Sequence, residues 1–382
     1  MRRFFGTART DGPIVALRKT GTYTARRVMP LLPDRLRRHG PPGTDHEYLM
    51  PTWKTLAQKR ALHPQSAPAL LRKARQIALI GDLNLPQCRK YRVEQLAAFW
   101  RGRGVEVEFA HYTDVPRATR ILQLATHVCE YRLPPTPVTE MLRYEARRLR
   151  LPILYDIDDP LFSVTAYETY ANMEAIDPAQ KDHFLRAAPG YLSMMNGADV
   201  VSLSTPGLVE HAALHTPRPA FLRRNFVDAE TLEIARLARR SGGRSDGLFR
   251  FAFASGSFGH EADFEIIAEA LTEVILAAPE WRLIILGHFD KSRLPAALAQ
   301  RTELQPFAGY GDYLKRLARA DCALMPLTDD PFNRCKSAVR VLDAAVVGVP
   351  SVVSAVGDLP FVVVQGATGW IVKDPSGWGD VL

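Results

Sequence analysis

The feature that most constrains the fold is an alternation of short apolar runs with amphipathic segments, which begins at Gln76 and occurs twice along the chain. The first apolar run, QIALIG, ends in a glycine, as a buried parallel strand often does. Strand-like and helix-like segments alternate from there to residue 225, and the same pattern restarts at Phe249. Such alternation is typical of parallel sheets with helices on both faces. The sequence therefore predicts an α/β protein with two Rossmann-like parallel-sheet domains that face each other across a cleft.

Composition places the domain boundaries. Residues 1–72 contain repeated prolines and little periodicity, which predicts a basic, Pro-rich N-terminal arm with at most a short helix near residues 53–61. The first domain is predicted at 73–240 and the second at 247–382. The charged residues 229–247, which end in SGGRSDG, are predicted as the linker between them. Two such domains in series place a ligand crevice at the carboxyl ends of their strands.

The net charge of +8 is concentrated at the start of the chain. The first 40 residues hold ten Arg or Lys against two Asp, so the remainder is near neutral, which argues against a nucleic-acid partner. Residues 1–40 could bind an anionic membrane surface, with Phe4 and Phe5 in the interface, or form a solvated extension. Four widely spaced cysteines, no apparent signal peptide and no membrane-length apolar run favour a cytoplasmic protein, or one peripheral on the inner face of the membrane.

The most informative stretch is FNRCKSAVRVLD at 332–343, followed by Gly348 and Pro350. It predicts a polar loop and a helix that Ser337 caps and Gly348 ends in the left-handed conformation. Asp343 lies within or beside the apolar stripe of that helix, where a carboxylate needs a partner. A cationic helix start and a carboxylate further on could hold the diphosphate and ribose of a nucleotide. The cationic and polar side chains before the helix are Asn333, Arg334 and Lys336, and an ordinary capped helix with a salt-bridged Asp remains an alternative.

A second small-residue loop, SGSFGH at 255–260, follows the first strand of the second domain. Gly256 and Ser257 would let the backbone approach a ligand at a helix start, and His260 is a further donor-site candidate or a capping residue. The loop is not GxGxxG, so it does not indicate a dinucleotide cofactor.

Two polar stretches of the first domain lie at predicted strand ends that open onto the same crevice. DIDDP at 156–160 favours acceptor binding or general-base chemistry over a metal site, with helix capping as another alternative. CRKYR at 88–92 offers cations to an anionic ligand. The predicted roles are catalysis for Asp158 and acceptor binding for Arg89, Tyr91, Arg92, Asp156 and Asp159.

Taken in order, these stretches resemble retaining GT-B glycosyltransferases of the group 1, family four type. The second half is similar through SGSFGHEADF, RLIILG, YLKRLARADCALMPL, FNRCKSAVRVLDAAVVGVPSVVS and GATGWIV, and the first half more loosely through QCRKYRVEQL and ILYDIDDPLF. The resemblance covers roughly residues 76–382. It implies a nucleotide-sugar donor in the second domain, a saccharide or lipid-linked acceptor in the first, and transfer with retention, without an essential metal or a cofactor.

The resemblance also implies residue roles. Asp343 falls where the family has a Glu that holds the ribose hydroxyls, and Lys336 and Ser337 fall beside the diphosphate, with Gly256 and Ser257 on its other side. Catalysis would then depend on Lys336, Arg334 and helix amides that stabilise the departing diphosphate.

Three departures from the family pattern stand out. Asp replaces Glu at 343, no acid stands near Cys335 where the family has its upstream Glu, and the chain ends where the family's last helix would cross back. We therefore expect a C-terminal domain shortened at its end. A non-catalytic nucleotide-sugar or glycan-binding protein is the alternative function, and a sugar-phosphate epimerase or synthase is a weaker one.

Overall fold

The structure is a computed structural model that describes residues 74–241, 246–256 and 260–382. The first domain contains a six-stranded sheet in the order β2-β1-β3-β4-β5-β6, and all its neighbouring strands are parallel. Its strands are β1 (Gln76–Gly81), β2 (Glu106–His111), β3 (His127–Tyr131), β4 (Ile153–Ile157), β5 (Val200–Leu203) and β6 (Ala220–Leu222). The predicted arm at 1–72 lies outside the described residues.

The second domain repeats this plan with another six-stranded parallel sheet, in the order β12-β11-β10-β7-β8-β9. Its strands are β7 (Phe249–Ser255), β8 (Trp281–Gly287), β9 (Thr302–Gln305), β10 (Cys322–Met325), β11 (Ser351–Ser354) and β12 (Gly369–Val372). The two sheets confirm the predicted doubly wound α/β architecture.

Helices connect the strands in both domains. Those of the first domain are Pro86–Arg89, Gln95–Arg101, Val115–Leu124, Pro137–Arg148, Val164–Glu168, Pro178–Asn196 and Pro206–Ala213, with a π-helical stretch Lys90–Glu94 after the first. Those that follow are Ala229–Ser241, Glu261–Ala277, Ala296–Ala299, Tyr310–Leu317, Val339–Val346 and Trp378–Val381. None of the helices in the described ranges is long and apolar enough to cross a membrane.

Apolar runs and local caps explain these elements. Ala78, Leu79 and Ile80 of β1 are at most 1% exposed, because helices cover both faces of the sheet. Thr136 caps the helix Pro137–Arg148 in a reciprocal pair with Thr139. Gly348 ends the helix Val339–Val346 with a φ of 79°, as the sequence predicted.

The linker prediction was wrong for residues 229–241, which form the helix Ala229–Ser241. Ala235 and Ala238 of this helix are fully buried in the apolar core of the second domain, beside Leu314 and Ala344. The helix therefore packs with the second domain, although the boundary was predicted after it. Alanines contribute little to a hydropathy pattern, so the charged residues between them dominated the prediction.

The two domains meet closely at the start of the helix Pro206–Ala213. The Thr205 hydroxyl donates to the carbonyl of Cys335 at 2.8 Å, and Gly207 lies against the carbonyl of Arg334. A Cβ on Gly207 would lie 2.2 Å from that carbonyl oxygen, closer than any real contact. Only glycine therefore allows this approach of the two backbones.

We expect Gly207→Ala to destabilise the protein by about 1–3 kcal/mol, because the new methyl group must push the two domains apart. The matched control is Gly311→Ala, also at the second position of its helix, whose Cβ would lie 3.7 Å from the nearest atom, on Ile234. Denaturant unfolding of both variants measures the difference. Equal stability of the two variants would contradict this contact.

Candidate functional site

Asp343 lies on the helix Val339–Val346, and its carboxylate faces the first domain. Its Oδ1 accepts hydrogen bonds from the hydroxyl of Tyr91, in the first domain, and from that of Tyr310 at 2.7 Å. Burial raises the pKa of Asp343 to about 6, against the opposing effect of both tyrosine hydroxyls and of Lys90. Asp343 therefore lies at the boundary between the domains, where the predicted site requires it.

Lys336 and Arg340 bring two cations to the amino end of the same helix. Lys336 Nζ donates to the Tyr170 hydroxyl at 2.7 Å, and Arg340 Nη1 donates at 2.8 Å to the carbonyl of Ala254, near the end of β7. Burial opposes the charge on Lys336, but Tyr170 and Asp263 outweigh it and raise the pKa of Lys336. Two positive charges beside a helix start favour an anionic ligand.

His260 lies beside these cations and is neutral at pH 7. Burial, together with the charges of Lys336 and Arg340, lowers its pKa to about 4. Its Nδ1 is 3.3 Å from Asp263 Oδ2. His260 is thus close to the predicted donor site, but it adds a polar group there and no charge.

The side chain of Asn333 is hydrogen-bonded to other groups of the protein. Its amide donates to Asp263, to the carbonyl of Thr328 and to Asp330 at 3.0–3.1 Å, and the residue is fully buried. Asp263 also accepts a hydrogen bond from Asn172 of the first domain at 2.9 Å. The side chain of Asn333 therefore stabilises the loop beside the site, and its NH2 group is already bonded to protein acceptors rather than to a ligand.

Asp156 and Arg92, predicted to bind the acceptor, are paired with each other inside the first domain. Both are 0% exposed, and Arg92 holds both oxygens of the Asp156 carboxylate, which also accepts from Arg223 Nη2 at 2.6 Å. Burial opposes ionisation of Asp156, but Arg223 and Arg92 lower its pKa. The pair is enclosed by protein, so the structure does not bring these two residues to a ligand, contrary to the prediction.

Asp158 and Asp159 form a different cluster at the end of β4. Tyr131 donates to Asp158 at 3.1 Å, and Arg132 Nη1 lies 3.3 Å from Asp158 Oδ1 and 3.6 Å from Asp159 Oδ2. Burial and the Asp158 charge raise the pKa of Asp159, while Arg132 and Lys336 oppose the rise. Lys336 is therefore near enough to influence Asp159 from the other domain. The described residues contain no group of three or more His, Cys, Asp or Glu side chains that could hold a metal ion.

Ser337 does not cap the helix as predicted. The helix begins at Val339, its N-cap position is Ala338, and the Ser337 hydroxyl accepts instead from Asn225 Nδ2 at 2.8 Å. The 3₁₀ turn Asn333–Cys335 ends just before Lys336, and the helix starts one residue later than a Ser337 cap would place it. Ser337 thus joins the two domains at this point.

The remaining candidates have contacts of their own. The guanidinium of Arg334 pairs with Asp329 at 2.6 Å on an exposed surface, and that of Arg89 pairs with Glu94 at 2.7 Å. Gly256 is exposed, and a Cβ there would lie 3.9 Å from the Gln87 side chain of the first domain. Ser257 lies outside the described residues.

The second domain matches a known protein family. Residues 250–382 fit the model of the family described as glycosyl transferases group 1. The second domain is a glycosyltransferase domain. The match confirms the predicted enzyme class, and it covers Asp343, Lys336 and Arg340 together.

Solved structures share the fold of this glycosyltransferase. Sucrose-phosphate synthase from Thermosynechococcus elongatus has a TM-score of 0.55 and 15% identity over 80% of this chain and 88% of its own. WaaG, a glycosyltransferase involved in lipopolysaccharide biosynthesis, has a TM-score of 0.55 and 11% identity over 80% of this chain and 89% of its own. A glycosyltransferase from Rickettsia africae has a TM-score of 0.51 and 10% identity over 81% of this chain and 87% of its own. These likenesses confirm the predicted GT-B fold and no more. No curated protein matches the sequence.

Sequence reasoning missed three residues around the site of this glycosyltransferase: Tyr170, Tyr310 and Arg340. Arg340 lies four residues after Lys336, so a helical count from the predicted cation would have placed both on one face. Tyr170 and Tyr310 reach the site from distant parts of the chain, and no local pattern marks them.

The exposed side chain of Arg334 predicts a small effect of its removal on catalysis. Its side chain is 60% exposed and pairs with Asp329, which is 61% exposed, and such surface pairs contribute little. We expect Arg334→Ala to change the rate of donor turnover less than about twofold. Steady-state kinetics with a nucleotide-sugar donor would check this, and a loss of tenfold or more would return Arg334 to the site.

Proposed function

We propose that this glycosyltransferase moves a sugar from a nucleotide-diphosphate donor to a saccharide or lipid-linked acceptor, with retention of configuration and without a metal. The observation that carries the proposal is the placement of Asp343, Lys336 and Arg340 at one helix on the boundary between the domains. A nucleotide diphosphate needs an acceptor for its ribose hydroxyls and cations for its phosphates, and this helix offers both.

The proposed donor chemistry follows from these charges. An ammonium group has three N–H donors, so Lys336 can keep its bond to Tyr170 and still bind a phosphate oxygen. Arg340 and the helix dipole add positive potential on the same side. Charge that develops on the departing diphosphate would be stabilised by groups already in place, and such stabilisation usually contributes more to catalysis than any other effect.

The proposed acceptor side is the Asp158–Asp159 pair with Arg132. These carboxylates lie at the end of β4, and Lys336 influences the pKa of Asp159 across the boundary. Carboxylates in this position can accept hydrogen bonds from the hydroxyls of a sugar acceptor. Tyr91 is better assigned to the donor side, because its hydroxyl is on Asp343.

A thermal-shift screen of nucleotides and nucleotide sugars tests the proposal first. A ligand at 100-fold its dissociation constant adds about 2.7 kcal/mol of stability, which is readily measured. The donor that binds is then incubated with saccharide and lipid-linked acceptors, and the anomeric configuration of the product is read by proton NMR. Retention with excess chelator present is the expected result. Failure of every nucleotide to shift the melting curve would contradict the proposal.

A non-catalytic nucleotide-sugar binding protein is the second candidate, supported by Cys335. This buried thiol stands near the position of the upstream acid of the resembled family, and its Sγ lies 3.3 Å from the carbonyl of Pro331. Nucleotide binding in calorimetry without transfer from any donor would favour this candidate. Association of residues 1–40 with a membrane and a cytoplasmic location stay predictions.

A further inference from the structure

Two phenol hydroxyls share one carboxylate oxygen at the domain boundary. Tyr91 comes from the π-helical stretch Lys90–Glu94 of the first domain, and Tyr310 from the start of the helix Tyr310–Leu317. Both donate to Asp343 Oδ1, and their own oxygens are 2.9 Å apart. The rings meet edge to face with centroids 6.2 Å apart. The result is a pair of adjacent hydroxyls on a single buried acid.

This arrangement has the hydrogen-bonding pattern of a ribose. A ribose carries its 2′ and 3′ hydroxyls on neighbouring carbons and on one face of the ring, so both can donate to the same carboxylate. Asp343 is 5% exposed and Tyr91 is 3% exposed, and the Tyr91 and Tyr310 hydroxyls already take the Oδ1 atom that a ribose diol would use. A diol that reaches Asp343 must therefore replace at least one of the two phenols.

We propose that Tyr91 occupies the place of the ribose on Asp343, and that nucleotide binding exchanges its hydroxyl for the ribose diol. This inference rests on the proposed function and adds the residue that sets donor affinity. Tyr310 belongs to the same domain as Asp343, whereas Tyr91 reaches it from the other. Release of the Tyr91 hydroxyl from Asp343 breaks a hydrogen bond between the two domains. Binding of a ribose is therefore coupled to the loss of this contact between the domains.

Tyr91 is buried although the residues on either side of it in the sequence are cations. The ammonium of Lys90 lies 4.7 Å from the centre of the Tyr310 ring and 3.7 Å from a Glu230 carboxylate oxygen. Lys90 therefore packs beside the contact between Tyr91 and Tyr310. The Tyr91 ring keeps its packing when only its oxygen is removed. A phenylalanine at 91 therefore removes the competing donor with little change in shape.

The test compares the wild-type protein with Tyr91→Phe by calorimetry at pH 8, using UDP, GDP, ADP and CDP. For each nucleotide that binds, the 2′,3′-dideoxy counterpart is measured beside it. We expect Tyr91→Phe to bind the ribonucleotide about tenfold more tightly, because the carboxylate loses a competing hydrogen bond. The affinity for the dideoxy nucleotide is expected to stay within about twofold. Tyr310→Phe is the second variant, with a gain in the same direction, and exposed Tyr144→Phe is the control.

The outcomes separate this inference from the proposed function. If the wild-type protein binds a ribonucleotide and neither Tyr91→Phe nor Tyr310→Phe binds it more tightly, the exchange is wrong and the proposed function stands. An equal gain for the dideoxy nucleotide would also overturn the exchange, since it would show an effect independent of the diol. If no form of the protein binds any of the four nucleotides, the proposed function fails and this inference fails with it.

Discussion

Replacing Lys336 by alanine is expected to lower the rate of sugar transfer about 100- to 1,000-fold. Removal of one donor to a developing negative charge typically has this effect, because the surrounding site excludes the water that could replace it. Lys336 is held charged by Tyr170 and Asp263, which raise its pKa against the effect of burial. The measurement is single-turnover transfer from the donor identified by the thermal-shift screen.

The matched control is Lys315→Ala. Lys315 is 54% exposed and lies 3.1 Å from Asp312 on the helix Tyr310–Leu317, where it has no part in charge stabilisation. We expect its rate to stay within about twofold of the wild-type rate. Binding adds a second measure, since Lys336→Ala should weaken the binding of a nucleoside diphosphate and leave that of the free nucleoside unaffected. A Lys336→Ala enzyme as fast as Lys315→Ala would remove Lys336 from the mechanism.

Asp343→Asn is expected to weaken nucleoside diphosphate binding about 100-fold, because the ribose diol loses its charged acceptor and one of the two carboxylate oxygens is replaced by an NH2 group that cannot accept. The fold should survive, since the amide oxygen of asparagine can still accept from Tyr91 and Tyr310. Calorimetry with the ribonucleotide and its dideoxy counterpart measures the effect. The dideoxy nucleotide should bind both proteins equally.

The pKa of Asp343 gives this prediction a pH dependence. Burial raises that pKa from 3.8 to about 6, so the folded protein binds this proton more tightly than the unfolded chain does. Between these two pKa values, the free energy of unfolding therefore falls as pH rises. The ionised carboxylate that a ribose needs forms only as pH rises through about 6. Nucleotide affinity should fall below pH 6 in the wild-type protein, and the Asp343→Asn protein should lack this step.

The control for both measurements is Asp312→Asn, whose carboxylate is 66% exposed. It should keep the affinity and the pH profile of the wild-type protein. Unchanged nucleotide affinity in Asp343→Asn at pH 8 would show that the ribose binds elsewhere.

The fold was largely readable from the sequence because buried parallel strands leave continuous apolar runs. The strand Gln76–Gly81, predicted from the run QIALIG, has the bounds that the structure shows. The helix Ala229–Ser241 was missed because alanines carry its buried face. Local hydropathy therefore located the sheets, and it failed where small side chains rather than large ones make the contact.

The sequence predicted site residues only where those residues lie close together along the chain. Asp343 and Lys336 share one helix and its preceding turn, so their spacing along the chain was informative by itself. Asp156 and Arg92 are 64 residues apart, and their mutual burial depends on how β4 lies beside the π-helical stretch Lys90–Glu94. A carboxylate at the end of a strand looks the same in a sequence whether it faces a ligand or a buried arginine.

The most direct test of the nucleotide site is a crystal structure of the protein with the nucleoside diphosphate that it binds. We expect both ribose hydroxyls within hydrogen-bond distance of the Asp343 carboxylate, a phosphate oxygen at the ammonium of Lys336, and the Tyr91 hydroxyl displaced from Asp343. A nucleotide bound at another edge of the sheet, with Tyr91 still on Asp343, would contradict the central claim.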